Sequence, residues 1–367
     1  MIIFWIGTIA ELIKLFTVII EARNNNIPYK IVATGQNKLI GTDVLKFCNE
    51  NKVDIELSDP LKIKKSARGL LIWFLKTYFS STKQLKDLIR NSNIPSHEII
   101  MVVHGDTVST LMGALVAKKN HFKLAHVEAG LRSFDIFHPF PEEIDRMLTS
   151  KRVDFHFCPS EEAEKNLQKA KVHGKIINTN GNTIYDALQY ANKQPFSENL
   201  KNQIDSINGS YFVFVMHRQE NIADTVLFTK TISRIVELAK TKHCVCILHE
   251  ITKIALQKNN LLKQISKDNF TLLPRTEYFD FMKILQGADF VITDGGSNQE
   301  ELAYMGKPTL IMRTKTERSD GLGINAVLCN NDFAIFDNFI KNYNKYQKNQ
   351  IKLDKSPSKV IIGNLKG

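Results

Sequence analysis

The 367-residue chain repeats one local pattern along most of its length, in which a short run of β-branched and aromatic residues is followed by a stretch with helical periodicity. This alternation predicts parallel strands joined by helices, because parallel neighbours in a sheet need a long crossover connection. In the first half the predicted strands are residues 2–6, 29–33, 99–103, 123–127 and 154–158. In the second half they are residues 175–179, 211–216, 244–248, 270–274, 289–293 and 308–312. We therefore expect an α/β protein with two Rossmann-like domains that face each other across a cleft.

The two series of strands predict two domains, each long enough to bury its own core. We place the first at residues 1–171 and the second at residues 172–353, with a closing helix over residues 354–367 that crosses back to the first domain. The apolar run at residues 1–20 has neither a basic leader nor a small-residue cleavage site. It therefore predicts a first strand and helix, and neither a signal peptide nor a membrane span.

A second apolar segment, residues 69–79, follows a basic stretch that contains Lys62, Lys64, Lys65 and Arg68. A basic flank beside an apolar helix is compatible with binding at a membrane surface. One apolar helix is ordinary in an α/β domain, however, so we favour a helix that packs on the sheet or against a second subunit. No membrane insertion is expected.

The formal net charge of +11 is compatible with an anionic partner or with a lysine-rich surface. No basic block is interleaved with aromatic residues, so nucleic acid is not an expected partner. The chain has five cysteines: Cys48, Cys158, Cys244, Cys246 and Cys329. Their odd number and their spacings, which match no zinc pattern, favour a reducing cytoplasm. No His/Cys cluster has the spacing of metal ligands and no GxGxxG motif follows the first strand, so neither a metal nor a nicotinamide cofactor is expected.

Acidic residues gather in short turns near the ends of predicted strands in the first half. Asp106 lies in the turn HGDT, directly after one strand, and Glu128 follows the next strand. Glu142, Glu143 and Arg146 come soon afterwards, next to Pro141. The carboxyl ends of parallel strands meet at the edge where open α/β sheets bind ligands. The pattern therefore predicts a ligand site at this edge of the sheet.

A glycine turn in the second half predicts an anion site. Gly295, Gly296 and Ser297 join the strand at 289–293 to a predicted helix at 297–306. The free N–H groups and the positive end of such a helix suit a diphosphate, although a tight turn between strand and helix explains the glycines equally well. Glu301 lies one turn inside the helix, where a carboxylate can bind both hydroxyls of a ribose.

Three further strands of the second half end in polar residues. His217, Arg218 and Asn221 follow the strand at 211–216, His249 follows the strand at 244–248, and Arg313 follows the strand at 308–312. Because these ends converge on one edge of a parallel sheet, they predict a ligand site together more strongly than any one of them does alone.

These residues carry a resemblance to a known family. The matching strings are HGDT (104–107), HVEAGLR (126–132), PFPEEIDR (139–146), GNTIYDAL (181–188), HRQEN (217–221), TDGGSNQEE (293–301), GKP (306–308) and TER (316–318). In this order, over nearly the whole chain, they resemble the non-hydrolysing UDP-N-acetylglucosamine 2-epimerases. The resemblance implies a fold of the glycosyltransferase-B kind, a homodimer, and an isomerase that inverts C2 of a UDP-linked 2-acetamido sugar. It also implies the route, in which UDP is eliminated to leave a 2-acetamidoglucal and is then added back on the opposite C2 configuration.

The resemblance also implies roles for individual residues. By position, Asp106, Glu128 and Glu142 are the acidic catalytic residues, and His217 is the catalytic-site histidine. The remaining matches are with substrate-binding positions: Lys14 and Arg146 near the ligand, Glu301 at the ribose, and Phe281 roughly at the uracil, where a core aromatic is an equally good interpretation. The glycine turn and a cation such as Arg313 would stabilise the departing diphosphate.

The chain departs from the family pattern at positions that bear on the substrate. The family's Gly-Thr-Arg-Pro-Glu is Gly7-Thr8-Ile9-Ala10-Glu11 here, so Ile9 replaces a guanidinium suited to phosphate. The glycine turn reads Gly-Gly-Ser where the family has Ser-Gly-Gly, and Glu250 follows His249 where the family has proline. Residues 40–75 contain no clear counterpart of the family's regulatory glutamine segment, so allosteric activation by substrate is not expected.

Three functions remain open on the sequence. The favoured one is interconversion of UDP-N-acetylglucosamine and UDP-N-acetylmannosamine. The second is a 2-epimerase for a modified UDP sugar, such as a 6-deoxy or 2,3-diacetamido form, used for a surface polysaccharide. The third is a glycosyltransferase on the same fold, or a protein that binds a UDP sugar without turning it over. A transferase would not need three acids plus His217, and a pure binding protein would be free to lose them.

Overall fold

The computed structural model describes residues 1–60, 67–135, 141–316 and 318–366. Three parts of the sequence predictions lie outside these residues: the lysines of the basic flank at 62–65, residues 139 and 140 of the PFPEEIDR string, and Glu317. The strands are β1 (Ile2–Ile6), β2 (Tyr29–Ala33), β3 (Ile55–Glu56), β4 (Ile100–His104), β5 (Lys123–Val127), β6 (Phe155–Cys158), β7 (Lys175–Asn178), β8 (Tyr211–Val215), β9 (His243–Leu248), β10 (Phe270–Pro274), β11 (Val291–Thr293), β12 (Thr309–Ile311) and β13 (Ala326–Leu328).

The helices alternate with the strands for most of the chain. They are α1 (Ile9–Asn24), α2 (Asp43–Asn49), α3 (Ala67–Ser92), α4 (Val108–Lys119), α5 (Glu142–Ser150), α6 (Glu161–Lys169), α7 (Ile184–Lys193), α8 (Glu198–Asp205), α9 (Gln219–Ala223), α10 (Thr225–Ala239), α11 (Glu250–Lys258), α12 (Leu262–Ile265), α13 (Tyr278–Gly287), α14 (Gly296–Met305), α15 (Phe333–Asn342) and α16 (Pro357–Leu365). The α/β class with two Rossmann-like sheets, predicted from the sequence, is confirmed.

The first sheet has seven strands among the described residues, in the order β3-β2-β1-β4-β5-β6-β7, and all its pairings are parallel. Strand β1 is buried along its whole length and lies between β2 and β4, with Ile2 opposite both Tyr29 and Ile100. The strand order reverses between β1 and β4. At such a switch point the loops leaving the two strands diverge, which opens a crevice at their carboxyl ends. Those loops are Gly7–Thr8 and Gly105–Thr107.

The second sheet has six strands in the part of the chain that the structure describes, in the order β10-β9-β8-β11-β12-β13, again all parallel. Its core includes Phe212, Phe214 and Phe290, and the rings of Phe212 and Phe290 stack at 5.2 Å. Its order reverses between β8 and β11. The turns that follow these two strands are the ones that carry His217 and the pair Gly295-Gly296. Both sheets therefore place the predicted ligand residues at a switch point.

The boundary between the domains differs from the one expected near residue 171. The chain divides into a first unit, Met1–Ala187 with Leu353–Gly367, and a second unit, Leu188–Lys352. The strand predicted to open the second series, β7, is instead the edge strand of the first sheet, where Phe155 of β6 pairs with Lys175. The division therefore falls inside α7 and not between residues 171 and 172.

The last helix, α16, belongs to the first unit and packs against α1. The hydroxyls of Thr17 and Ser358 lie 2.7 Å apart, and the Ser358 backbone N–H donates to Asp186 at 2.8 Å. Ile361, Ile362 and Leu365 are buried. Helix α16 thus completes the core of a unit whose other strands and helices lie within residues 1–187.

The long helix α3 contains the predicted helix at 69–79 and extends well beyond it. Trp73 and Leu85 are buried in the core of the first unit, whereas Leu71, Ile72, Leu75 and Phe79 are 45–64% exposed. The apolar run at residues 1–20 forms β1 and most of α1, as predicted. Across the described part of the chain, no helix combines the length and the apolar character needed to cross a bilayer.

Candidate active site

The carboxyl ends of β4 and β5 and the start of α5 carry the predicted acidic residues. Asp106 follows β4, Glu128 follows β5, and Glu142 opens α5. Arg146 on the next turn of α5 pairs with Asp106 and also lies within electrostatic range of Glu128. Asp106, Glu128, Glu142 and Arg146 thus come from three separate segments, and we call these four residues the acid cluster. Glu142 and Asp106 both lie within electrostatic range of Asp145.

Glu128 is the most constrained member of the acid cluster. Its φ is +66°, in the left-handed region that residues with a side chain rarely adopt. The ammonium group of Lys14 and the amide of Asn182 both donate to its Oε2, and the Nε2 of His104 lies 3.8 Å from the same oxygen. The Lys14 and Glu128 side chains are only 3% and 5% exposed. Removing one partner of a buried ion pair strands the other charge, so this pair fixes the position of the carboxylate.

Arg146 holds Asp106 through an ion-pair network that runs along α5. Its Nη2 donates to Asp106, and its Nη1 lies 3.4 Å from Glu143. Glu143 also accepts from the guanidinium of Arg132 and, at 3.0 Å, from the backbone N–H of Ser133. Burial alone would raise the pKa of Glu143, but the hydrogen bonds from Ser133 and Arg132 outweigh it and lower the pKa. Glu143 therefore serves as a fixed counter-ion that orients Arg146.

Glu11, which no sequence motif singles out as a site residue, joins the two loops of the switch point. It is 2% exposed, and it accepts from the backbone N–H of Gly7 at 2.6 Å and from the hydroxyl of Thr107 at 2.6 Å. Burial raises its pKa to about 7, against the opposing effect of the Thr107 hydrogen bond. Thr107 is next to Asp106 and caps α4 by accepting from the N–H of Thr110. Glu11 thus ties the loop after β1 to the turn that carries Asp106.

In the second unit, Asp294 organises the turn after β8. Its carboxylate is fully buried and accepts from the backbone N–H groups of His217 and Arg218 and from the side chain of Asn221. The Nδ1 of His217 lies 3.4 Å from Asp294 Oδ1. The same Asn221 amide also donates to the carbonyl of Met312 at 2.8 Å. Asn221 therefore has a structural role, and the carboxylate of Asp294 holds the backbone of the turn that carries His217.

His217 and His249 form a stacked pair at the end of β8 and β9. Their ring centroids are 4.5 Å apart with an interplanar angle of 15°. Burial lowers the pKa of His217, and the nearby Asp294 carboxylate partly opposes this. Burial, together with His217 and Arg275, lowers the pKa of His249 to about 4. Both rings are therefore neutral at pH 7, and a neutral imidazole can accept a proton.

The glycine turn borders a cavity of about 230 Å³. The cavity is lined by His217, Arg218, Gly295, Gly296, Ser297, Asn298 and Arg318. Gly295 is the residue before the first turn of α14, so the unpaired N–H groups of that turn and two guanidinium groups border the same space. We call this space the anion cradle. Arg318 also donates to Glu300 at 2.7 Å, which fixes the position of its side chain.

The other predicted ligand residues lie on neighbouring elements of the second unit. Glu301 is buried on α14, Arg313 follows β12 and donates to the hydroxyl of Thr316 at 3.4 Å, His249 immediately precedes α11, and Phe281 is half-buried on α13.

Four residues missed from the sequence have clear structural roles: Glu11, Asn182, Asp294 and Arg318. Asn182, Asp294 and Arg318 stand inside strings used for the family resemblance, which is the signal that would have found them. Glu11 stands in Gly-Thr-Ile-Ala-Glu at a position where the family also has glutamate. Each of them holds another side chain or a loop, and such a contact is not visible in a linear pattern.

The sheets, the acid cluster and the anion cradle define a two-unit α/β protein with a Rossmann-like sheet and a candidate site in each unit. A family model described as UDP-N-acetylglucosamine 2-epimerase matches residues 20–357. The chain therefore belongs to the UDP-N-acetylglucosamine 2-epimerase family, which is a family of isomerases.

Individual relatives agree with the family assignment. The UDP-N-acetylglucosamine 2-epimerase of Methanocaldococcus jannaschii is 31% identical over 88% of this chain and 86% of its own length. The enzyme of the same name from Neisseria meningitidis is 30% identical over 88% of this chain and 84% of its own length.

Solved structures show the same fold. The N. meningitidis enzyme bound to UDP-GlcNAc has a TM-score of 0.78 and 28% identity, covering 99% of this chain and 98% of that one. The S. aureus MnaA-UDP co-structure has a TM-score of 0.80 and 26% identity, covering 100% of this chain and 95% of that one.

Proposed function

We propose that the chain catalyses the reversible inversion of C2 in a UDP-linked 2-acetamido sugar, interconverting UDP-N-acetylglucosamine and UDP-N-acetylmannosamine. The observation that carries this proposal is the acid cluster, where Asp106 and Glu128 both interact with Arg146 and Glu142 opens the helix that carries Arg146. Family membership supports the reaction class. The N. meningitidis relative, whose structure contains UDP-GlcNAc, supports the substrate.

The chemistry explains why the reaction needs both carboxyl groups for proton transfer and donors for a departing diphosphate. The C2 proton of the sugar is not acidic, so its direct removal would be very slow. Elimination of UDP to give a 2-acetamidoglucal, followed by re-addition, makes the inversion accessible. Proton transfer at C2 requires an acid and a base in the site, a kind of assistance worth roughly 10²–10⁴-fold in rate. Asp106, Glu128, Glu142 and His217 are the residues that we assign to proton transfer.

Stabilisation of the departing diphosphate is the second requirement. Gly295, Gly296 and Ser297 at the start of α14 and the guanidinium groups of Arg218 and Arg318 are suited to it, because fixed donors stabilise charge as it develops. We assign Lys14, Arg146, Asn221, His249, Phe281, Glu301 and Arg313 to substrate binding or to positioning of the residues that bind it. Lys14 and Arg146 act by holding Glu128 and Asp106 in place.

Proton NMR in D₂O tests the reaction directly. The purified protein is incubated with UDP-N-acetylglucosamine while the anomeric signals and the C2 proton are followed. A UDP-N-acetylmannosamine signal with deuterium at C2 is the expected result. If neither a new sugar nor exchange at C2 develops, the proposed substrate is wrong. Repeating the measurement with 6-deoxy and 2,3-diacetamido UDP sugars then tests the alternative substrates to which Ile9 and the Gly-Gly-Ser turn draw attention.

We further propose that the protein is a cytoplasmic homodimer that supplies a sugar nucleotide for polysaccharide synthesis. Support for the cytoplasm comes from the five cysteines, which are all buried and free. Support for the dimer comes from α3, whose exposed side chains Leu71, Ile72, Leu75 and Phe79 form one apolar face. We call this the α3 face and assign it to contact with a second copy of the chain.

A further inference from the structure

One carboxyl group beside the acid cluster has no part in the mechanism described above. Asp145 is the fourth residue of α5, one turn after Glu142, and its side chain points inward, so that the residue is only 5% exposed. Its Oδ2 is buried and has no hydrogen-bond partner among the residues that the structure describes. A buried carboxylate without a donor is costly, and such a group usually avoids the cost by keeping its proton.

The charged groups around Asp145 make ionisation more difficult still. Asp106 from the loop after β4 and Glu142 on α5 both act on it electrostatically. Arg146, the adjacent cation, is engaged by Asp106 and Glu143. Helix α4, which packs on α5, carries its cations in its last turn, where Lys118 pairs with Asp154 and Lys119 lies over Tyr78 and Phe79.

We propose that Asp145 is a positioning residue for the epimerisation, which works as a neutral carboxyl beside Asp106 and Glu142 and switches the site off when it loses its proton. The proposal rests on the proposed function. A neutral Asp145 leaves the surroundings of Asp106 and Glu142 with one negative charge fewer. When its proton is lost to solvent, the new charge repels Asp106 and Glu142 and opposes binding of an anionic UDP sugar.

The burial of Asp145 and the nearby carboxyl groups also set the pH at which the switch operates. Burial, and after it the charges of Asp106 and Glu142, raise the pKa of Asp145 from 3.8 to about 7. The neutral form therefore dominates below about pH 7 and the ionised form above it. The activity should fall above pH 7, by about tenfold for each pH unit if one ionisation controls the fall.

The first experiment compares pH profiles of kcat/KM for wild-type protein and Asp145→Asn between pH 5 and 9. The asparagine keeps the shape of aspartic acid but cannot ionise, so the fall above pH 7 should be absent from its profile. Glu11→Gln is measured beside it, because the pKa of Glu11 is also raised to about 7. If Asp145→Asn keeps the fall, or if Glu11→Gln alone removes it, the proposal is overturned. Asp145→Ser, which also cannot ionise, replaces the asparagine variant if that protein does not fold.

The second experiment needs no turnover, so it separates this proposal from the proposed function. Because the pKa of Asp145 is higher in the folded than in the unfolded protein, ionisation favours unfolding, and its cost grows from about pH 4 to about pH 7 and is constant above that. The urea midpoint of Asp145→Asn should therefore rise relative to wild type across this window. Asp87→Asn, an exposed change on α3, should show no such rise. A pH-independent difference for Asp145→Asn would contradict the proposal even if the protein proves to be an active epimerase.

Discussion

Individual side chains in the two candidate sites are held in place by several buried contacts each. Glu128 combines a left-handed backbone with a buried ion pair to Lys14 and a hydrogen bond from Asn182. Backbone strain of this kind costs about 1–3 kcal/mol and persists only where the surroundings enforce it. The Lys14 and Asn182 contacts supply that enforcement. We infer that the carboxylate is fixed before any ligand arrives, which is the preorganisation that acid–base catalysis needs.

Neutral replacements of the three acids should therefore remove the activity, and Glu128→Gln should also destabilise the fold because it removes the charged partner of the buried Lys14. We expect Asp106→Asn, Glu128→Gln and Glu142→Gln each to lower the rate of epimerisation by roughly 10²–10⁴-fold, because each removes a group assigned to proton transfer. Glu162→Gln, an exposed change on α6, is the matched control and should keep the wild-type rate. The rates come from the NMR assay in D₂O. Near-normal rates for all three acid variants would show that the cluster does not transfer protons.

The effect of Asp294 on the pKa of His217 can be tested by substitution. The Asp294 carboxylate raises the pKa of His217 against the lowering effect of burial, so Asp294→Asn should lower that pKa further. The amide also offers one acceptor oxygen where the carboxylate has two, so a buried N–H of His217 or Arg218 loses its partner, at a cost of about 1–3 kcal/mol. NMR titration of the His217 ring measures the first effect and urea unfolding measures the second. Asp205→Asn, at an exposed position, is the control. An unchanged or higher pKa for His217 would refute the assigned role of Asp294.

At the scale of elements, the order of strands and helices could be predicted because each strand is a compact apolar run. Strands β1, β2, β5 and β10 have the predicted bounds, and most others differ by one or two residues. The short strands β3 and β13 were missed, since two or three residues do not establish a pattern of their own. The sequence pattern also could not show to which of the two sheets a strand belongs. Strand β7 resembles the strands of the second series, and only its pairing with β6 places it in the first sheet.

The turn that begins helix α14 allows a test of whether the anion cradle binds UDP. A Cβ added at Gly295 would lie 3.1 Å from His217 Cε1 and 3.1 Å from Asn298 Nδ2, so both neighbours would have to move. We expect Gly295→Ala to weaken UDP binding about tenfold, which corresponds to about 1.4 kcal/mol. Gly363→Ala is the control, because nothing lies within 4 Å of the added methyl group on α16. Isothermal titration calorimetry with UDP gives both affinities. An unchanged Kd for Gly295→Ala would mean that the phosphates do not contact this turn.

Helix α3 allows a test of the proposed dimer. The exposed fractions of Leu75 and Phe79 are 45% and 64%, and a charge at either position would be buried without a partner if the α3 face contacts a second copy. We expect the double variant Leu75→Glu with Phe79→Glu to be monomeric, and the wild type to be dimeric, in light scattering after size exclusion. Val226→Glu changes an exposed apolar residue on α10 and should leave the dimer intact. A dimeric double variant would place the interface elsewhere, and a monomeric wild type would refute the dimer.

At the scale of the whole molecule, the first unit is discontinuous in sequence. The sequence predicted that a closing helix would return to the first domain, and α16 does pack on α1, but the position of the boundary was not predictable. Helix α7 runs through the division, so no loop, glycine or proline marks it.

The candidate site, like the division into units, was predictable only in part. The residues at strand ends could be identified from their position, whereas Glu11 and Asp294 support them through contacts that only the folded chain creates.

This discontinuity predicts that damage near the C-terminus will loosen the N-terminal part of the chain. Ile361 of α16 is fully buried, and a buried isoleucine truncated to alanine typically costs 2–5 kcal/mol. Ile361→Ala should therefore speed hydrogen exchange in β1, α1 and β4, because these elements belong to the same unit. Exchange in β8, β9 and β11, which lie in the second unit, should be far less affected. Lys359→Ala, an exposed change on the same helix, separates loss of packing from loss of helix content. If Ile361→Ala speeds exchange equally in both units, the chain unfolds as one cooperative body, and the division into units has no energetic meaning.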